Sequence, residues 1–506
     1  MNELESPAAG FYAALERFTR VPLASRLASC DPQDFDHHLS SWWRQVHAQV
    51  PAYRRFLAQQ GLAEIAVYDT RGFQKLPLMT KDNYMRAFPL AERCRGGMLA
   101  GCDMVAVSSG STGAPAFWPR NMRDEFDIAT RFEQVFVDSF RADRKATLAI
   151  VCFALGTWVG GMYTTHCCRL LSLRGYPVTV VTPGNNKGEI FRVVRELAHG
   201  FEQIVLLGYP PFVKDVIDSG VADGISWQDF NVKFVFAGEV FSEEWRQRLC
   251  ERVGADDVCA TAASLYGTAD GGVLGNETPL SVAIRRLLAR FPAAAAELFS
   301  EARLPTLVQY DPRSRYFEVH DGTLVVSGDA GVPLVRYHIA DSGGLIPFQV
   351  MMEFLRTRIH DLDAELSTVQ AYPARPLPFV YVFGRADFTV SYFGANIYPE
   401  NVAVGLERSD VHKWLTGKFV LNVREGSQGP AELVVVAELA PDEAPSELRE
   451  RALAQAIVAE LRRLNSEFAN YVPAEFQLPR VVLRTHGDPQ YFPLGVKHRY
   501  TRKPSN

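Results

Sequence analysis

Between residues 146 and 240 the chain repeats one pattern four times: a short apolar run that stops at Gly or Pro. LAIVCF (148–153) runs into Ala154-Leu155-Gly156, and VTVV (178–181) into Thr182-Pro183-Gly184. IVLL (204–207) runs into Gly208-Tyr209-Pro210-Pro211, and KFVF (233–236) into Ala237-Gly238-Glu239. Helix-like stretches such as 189–197 and 242–252 lie between them, the latter opening on Ser242 with Glu243 and Glu244 in its first turn. Strands alternating with helices predict an α/β domain with much parallel sheet. In such sheets ligands collect at the carboxyl ends of the strands, where these glycine loops fall.

The 506 residues predict two or more domains. The net charge of −5 gives no global argument for nucleic acid or an anionic membrane. The eight cysteines contain no C-x-x-C pair, so neither a disulfide framework nor a zinc site is expected, which suits a reducing cytoplasm. The opening MNELESPAAG is acidic and lacks a signal-peptide core, again an expectation of a cytoplasmic protein. The uncharged segment 146–168 has membrane-spanning length, but Gly156, Gly160, Gly161 and His166 interrupt it. A buried strand, a Gly-rich turn and a buried helix are expected there.

Residues 1 to about 100 read as mainly helical, anchored by Trp42, Trp43, Val46, Val50 and Tyr53, with Pro51 ending or kinking a helix. TLVVS (323–327) after the Asp321-Gly322 turn reads as a strand. Near 385 the chain restarts. A strand at 433–438, a helix from about Ser446 and a strand at 481–484 form a compact α+β unit. Leu453, Ile457, Leu461 and Leu464 fall on one face of that helix. The expected division is a large α/β domain over 1–385, with largely parallel mixed sheets, and a small mobile lid over 386–506.

MVAVSSGSTGAPAFWPR (104–120) reads as a strand, a polar turn and a second strand opening at Ala116. Gly110 and Gly113 tolerate positive φ, and Ser108, Ser109, Ser111 and Thr112 supply hydroxyls. Successive N–H groups in such a turn form an anion nest, so the stretch is either a phosphate loop or a polar hairpin. No Lys-Ser or Lys-Thr follows Gly113, which excludes a Walker loop.

Seven motifs around this loop occur in a set order. VPAYRRF (50–56) and LPLMTKDNY (76–84) precede it. GEVFSEEW (238–245), SLYGTADGG (264–272), PLVRYHIAD (333–341), FGRADF (383–388) and GANIYP (394–399) follow. The series resembles the adenylate-forming superfamily of acyl-CoA synthetases, most of all its phenylacetate-CoA ligase and capsule-biosynthesis branch. The resemblance spans roughly residues 45 to 503.

It implies the following roles. Ser108–Gly113 embraces the phosphates of ATP, with Gly238, Glu239, Gly267 and Thr268 also at the nucleotide. Tyr266 stacks on adenine, Asp341 accepts the ribose hydroxyls, and Arg385 lies near ribose and phosphate. Asp270 stands where the family has a Glu that helps hold Mg²⁺. Asp387 is the hinge of the small domain. Lys497, in the Gly-Lys stretch near the end, is the catalytic cation in acyl-AMP formation, with Lys503 as fallback. Trp158, Tyr163 and Phe241 line an apolar slot suited to an aryl or short-chain acid.

The implied reaction uses ATP, Mg²⁺ and a small carboxylic acid, with coenzyme A as acceptor. An amine or a carrier-protein thiol is the alternative acceptor. A homodimer is compatible; nucleic acid and membrane are not expected as partners. Two departures stand out. Ala114 replaces a Lys common after the loop, leaving Arg120 as a replacement cation or not, and Ala269 replaces a hydroxyl residue. They keep open a nucleotide-binding homologue that has lost catalysis. A P-loop-type phosphotransferase, the other rival, is disfavoured by the missing Walker lysine.

Overall fold

The computed structural model describes residues 7–28, 31–107, 116–157, 159–301, 304–385, 390–393, 395–424, 432–493 and 500. The predicted apolar runs are strands. β1 (Met104–Val107) and β2 (Phe117–Arg120) form an antiparallel pair of their own. β3 (Thr147–Val151), β4 (Val178–Val181), β5 (Gln203–Gly208), β6 (Val232–Ala237) and β7 (Ala262–Thr268) run parallel in the order β4-β3-β5-β6-β7. That is the doubly wound arrangement, with the reversal of strand order beside β3.

Its burial follows the two-residue period of a strand covered on both faces. Leu148, Ile150, Ile204, Leu206, Phe234 and Phe236 pack into one core. The intervening Ala149, Val151, Val205, Leu207 and Val235 pack into another on the opposite face. The uncharged segment 146–168 resolves into β3 and the helix Val159–Leu170. Among the described residues no helix is long and apolar enough to cross a membrane.

The same sheet continues antiparallel. β8 (Gly272–Asn276) pairs with β7 and touches β9 (Thr306–Gln309). Then come β13 (Phe379–Arg385), β12 (Leu334–Ile346), β11 (Thr323–Gly328) and β10 (Tyr316–His320), making eleven strands among the described residues. The Asp321-Gly322 turn has φ of 49° and 72°, the left-handed pair a tight hairpin needs.

The N-terminal helices cover this half. Trp43, Val46, Tyr53 and Phe56 share a core with Val335 and Tyr337 of β12. Helix Pro32–Gln49 ends before Val50, and Pro51 opens the next helix, Pro51–Gln59. Proline lacks the N–H that a first turn leaves unbonded anyway, so here it starts a helix as well as ending one. LPLMTKDNY docks through Met79, whose N–H donates to Arg336 O at 3.0 Å and whose carbonyl accepts from His338 N at 2.9 Å.

β13 ends in the large sheet. β14 (Val390–Tyr392) and β15 (Ala395–Ile397) open the small unit. Its sheet is β16-β17-β18 (Leu415–Arg424, Glu432–Leu439, Arg480–Arg484), with β17 and β18 parallel. Helix Glu447–Leu464, capped by Ser446, buries Leu453, Ile457 and Leu461 on it.

Candidate active site

The carboxyl ends of β5, β6 and β7 meet along one edge. Parallel register sets Ala237 beside Leu265, so Gly238-Glu239 emerges next to Tyr266-Gly267. Gly238 has φ of 92°, a turn that a side chain would resist. Tyr209, just past β5, donates its hydroxyl to Glu239 Oε1 at 2.8 Å. Burial, then the Glu239 charge, pushes the Tyr209 phenol well above its ordinary range.

Tyr266 donates its hydroxyl to Asp341 Oδ2 at 2.6 Å, closing the antiparallel strands back over the parallel ones. Both sequence-predicted nucleotide residues therefore occupy one place. One ring face of Tyr266 stacks on Phe317, with centroids 6.4 Å apart. Asp341 lies opposite Arg385 in the β12–β13 register, and for Arg385 only the backbone is among the described atoms. β12 is distorted here: Arg336 and Ala340, neither a glycine, have φ of 48° and 66°. Strain of this kind persists only where the surroundings over-determine it.

Asp270 sits in the turn between β7 and β8, buried, with its carboxylate accepting the Tyr337 hydroxyl. Thr268 Oγ1 accepts from Gly271 N at 3.0 Å. Among the described residues no three His, Cys, Asp or Glu side chains gather to hold a metal. Mg²⁺ bound mainly through phosphates needs only one or two carboxylates, so Asp270 fits that donor role.

Arg120 is buried, with Nη1 donating to Asp270 O at 3.2 Å and Nη2 to Ala269 O. It grips the turn that carries Asp270. Sequence reasoning missed this role, and it missed Tyr337 and Arg315 as supports; the only signal was that Tyr337 and Asp341 share a motif.

The apolar slot is not assembled as expected. Tyr163 is buried in the core on one face of the parallel sheet, under Gly272, where an added Cβ would lie 2.7 Å from its hydroxyl. Phe241 belongs to the core on the other face and stacks with Trp245. Strand alternation puts the sheet between them. Phe241 instead lines a cavity between the large and small units, with Lys214, Trp245, Leu406, Glu407 and Tyr500.

Polar contacts surround this mainly apolar cavity. Lys214 Nζ donates to Leu415 O at 3.2 Å, Ser242 Oγ donates to Glu407, and Tyr500 hydrogen-bonds Tyr209. Burial pushes the Glu407 carboxyl up to about 7 and the Lys214 ammonium down to about 8. Ser108–Gly113, Trp158, Asp387, Lys497 and Lys503 lie outside the described residues.

No family model matches the chain, and no curated protein does. Solved structures do. The chain is similar to 2-hydroxyisobutyryl-CoA ligase in the postadenylation state in complex with R3-HIB-AMP, at 15% identity over 96% of this chain and 90% of that one, with a TM-score of 0.64. The same ligase with 2-HIB-AMP in that state gives 0.63, at 14% identity over 99% and 93%. With 2-HIB-AMP and CoA in the thioesterification state it gives 0.52, at 16% identity over 99% and 94%. The fold is thus that of adenylate-forming CoA ligases, including the C-terminal unit.

Proposed function

We propose that the chain is an ATP-dependent carboxylic acid ligase that forms an acyl-AMP and passes the acyl group to a thiol, coenzyme A being the favoured acceptor. The observation that carries this reading is the Tyr266–Asp341 bond. It joins an aromatic face and a ribose-type carboxylate at the carboxyl edge of the sheet, in a fold shared with such ligases.

In the first step a carboxylate oxygen of the acid bonds to the α-phosphorus, and the bond to pyrophosphate breaks. Tyr266 and Asp341 orient the nucleoside. Asp270 would hold Mg²⁺, which when bound neutralises phosphate charge. Lys497 is assigned to the charge that grows on the α-phosphate; in support, nearby Tyr500 reaches Tyr209 beside the site. In the second step the thiol sulfur bonds to the carbonyl carbon, the thiol proton goes to solvent and AMP departs. A different docking of the small unit, hinged at Asp387, would serve that step. The chain superposes better on the postadenylation structures than on the thioesterification one.

The test is incubation with ATP, Mg²⁺ and a library of aryl and short-chain acids, with and without coenzyme A. AMP and pyrophosphate are the expected products. ADP would indicate a phosphotransferase, and nucleotide binding without turnover a homologue lacking catalysis. Lys497→Ala should slow acyl-AMP formation about 10²- to 10³-fold. It should leave conversion of pre-made acyl-AMP to thioester largely intact.

A further inference from the structure

Two thiols meet just ahead of β1. Cys94 is 1% exposed, inside the core that the N-terminal helices share with β12, and Cys102 packs half-buried against the same core. The Cys94 S–H has two acceptors in reach, Leu90 O at 3.4 Å and the Cys102 sulfur. The chain between them doubles back on itself. Gly97 N donates to Cys94 O at 3.1 Å and Cys102 N to Leu99 O at 2.9 Å, while Gly96 and Gly97 take φ of 70° and 71°. Arg95 pins this loop to the large unit: Nη1 donates to Gln49 Oε1 at 2.9 Å and Nη2 to Asp329 Oδ1 at 2.7 Å.

The two sulfurs are unlike. The hydrogen bond from Cys94 holds the Cys102 thiol below its ordinary value, against burial and the Asp103 charge. The same bond, then burial, pushes the Cys94 thiol well up. Thiolate character and access decide which cysteine meets an oxidant first. Among the described cysteines Cys102 alone is only half-buried, and burial pushes Cys152, Cys167, Cys168, Cys250 and Cys259 up. The pair thus joins an accessible sulfur that ionises first to a sheltered one in contact with it, as a reacting thiol and its resolving thiol must be.

We propose that Cys94 and Cys102 form a reversible disulfide, with a hydroperoxide as oxidant and a dithiol as reductant. The Cys102 thiolate attacks one peroxide oxygen, the O–O bond breaks, and the other oxygen takes a proton and leaves as water when the oxidant is hydrogen peroxide. The Cys94 sulfur, giving up its proton, then bonds to the Cys102 sulfenic sulfur, and a second water leaves. The two thiols lose two electrons and the peroxide gains them. Cys102 leads into Asp103, whose N–H donates to Arg120 O at 3.1 Å and whose carboxylate accepts from Met122 N at 2.8 Å. The disulfide therefore staples the β1–β2 pair to the helical layer. This chemistry needs nothing from the ligase reaction.

The experiment treats the full chain, reduced and then freed of reductant, with hydrogen peroxide and counts thiols after denaturation. The count should fall by two from eight, and a dithiol should restore it. Trypsin cuts after Arg93, Arg95 and Arg120, so the unreduced digest should hold Cys94-Arg95 joined to 96–120, lighter than the two peptides together by two hydrogens. Cys102→Ser should abolish the thiol loss, and Cys94→Ala should leave Cys102 as a sulfenic acid that dimedone traps. No thiol loss in the parent, a link to any other cysteine or between chains, or Cys102 oxidised to sulfinic acid with Cys94 still free would overturn the proposal. Should Cys94→Ala fail to fold, Cys102→Ser, at a half-buried position, carries the test alone: thiol loss equal to the parent's would overturn the proposal.

Discussion

The molecule buries arginine in two ways. Arg246, on the helix Glu243–Arg252, and Arg285, on the helix Pro279–Arg290, meet Glu243 and Glu277, two cations against two anions. Arg246 bonds both carboxylates, at 3.0 Å to Glu243 and 2.7 Å to Glu277, and donates to Ala262 O at 2.7 Å. Burial drives Glu243 up, but Arg246 and Arg285 outweigh it and hold that carboxyl below its ordinary range. Arg120 and Arg315 donate to backbone carbonyls of the Asp270 turn, and the charge of Arg315 is felt by Asp124 and Asp127 without a direct ion pair among the described residues. The balanced cluster is complete in itself and locks helix to sheet. The carbonyl-bound pair instead fixes the turn between β7 and β8. An arginine paired with carboxylates locks helix to sheet; one bound to carbonyls fixes a turn.

The strongest way to break this comparison is to unbalance the balanced cluster. Arg246→Met strands the buried Glu277 carboxylate, leaves Glu243 to Arg285 alone, and should cost about 3–5 kcal/mol in denaturant unfolding. Adding Glu243→Gln and Glu277→Gln should recover part of it. A small loss in the single variant would mean that the cluster is solvated and the contrast false.

Glu407 sharpens the comparison from the acidic side. No ion pair balances it among the described residues, and a carboxyl, unlike a guanidinium, does take a proton. Its value of about 7, raised first by burial, exceeds that of the solvated group. The sign follows. Docking of the small unit is fully favoured below the solvated value near 4.5, weakens as pH rises through about 7, and is level above that. The whole change is on the order of 3 kcal/mol. Glu407→Gln should remove this dependence, read by small-angle scattering or a distance label between the units across pH 5 to 8. A profile unchanged by the substitution would place the titration elsewhere.

The smallest effect is expected at the nucleoside. Asp341→Ala removes the acceptor of the Tyr266 hydroxyl and should weaken AMP and ATP alike, by roughly 1.5–3 kcal/mol. Calorimetry showing unchanged AMP affinity would take Asp341 out of the site.

What was legible in the sequence was local. Strands ending in glycine, the Ser242 cap and the one-faced helix at 447–464 follow from neighbouring residues, and the structure repeats them. Tyr266 and Asp341 were legible through motif order, although their bond spans 75 residues. The arginine supports were not. Arg120 meets its turn across 149 and 150 residues, and nothing near Arg120 distinguishes it from a solvated charge. Tyr163 and Phe241 were placed in one slot because the resemblance puts the acyl pocket near the loops that hold them. Which face of a sheet each reaches depends on the pleat of separate strands, and short loop motifs carry no such information.

The docking of LPLMTKDNY against β12 has a consequence for synthesis. Arg336 donates to Leu76 O across 260 residues. At about 5–20 residues per second on the ribosome, the N-terminal helices wait on the order of tens of seconds for the strand they cover. During that interval Trp43, Tyr53, Phe56 and Phe73 have no sheet to shield them. The doubly wound strands emerge and pair first. The nascent chain therefore passes through a stage with half its large sheet built and its aromatic cap exposed, a natural point for chaperone capture and the stage at which overexpressed protein would aggregate.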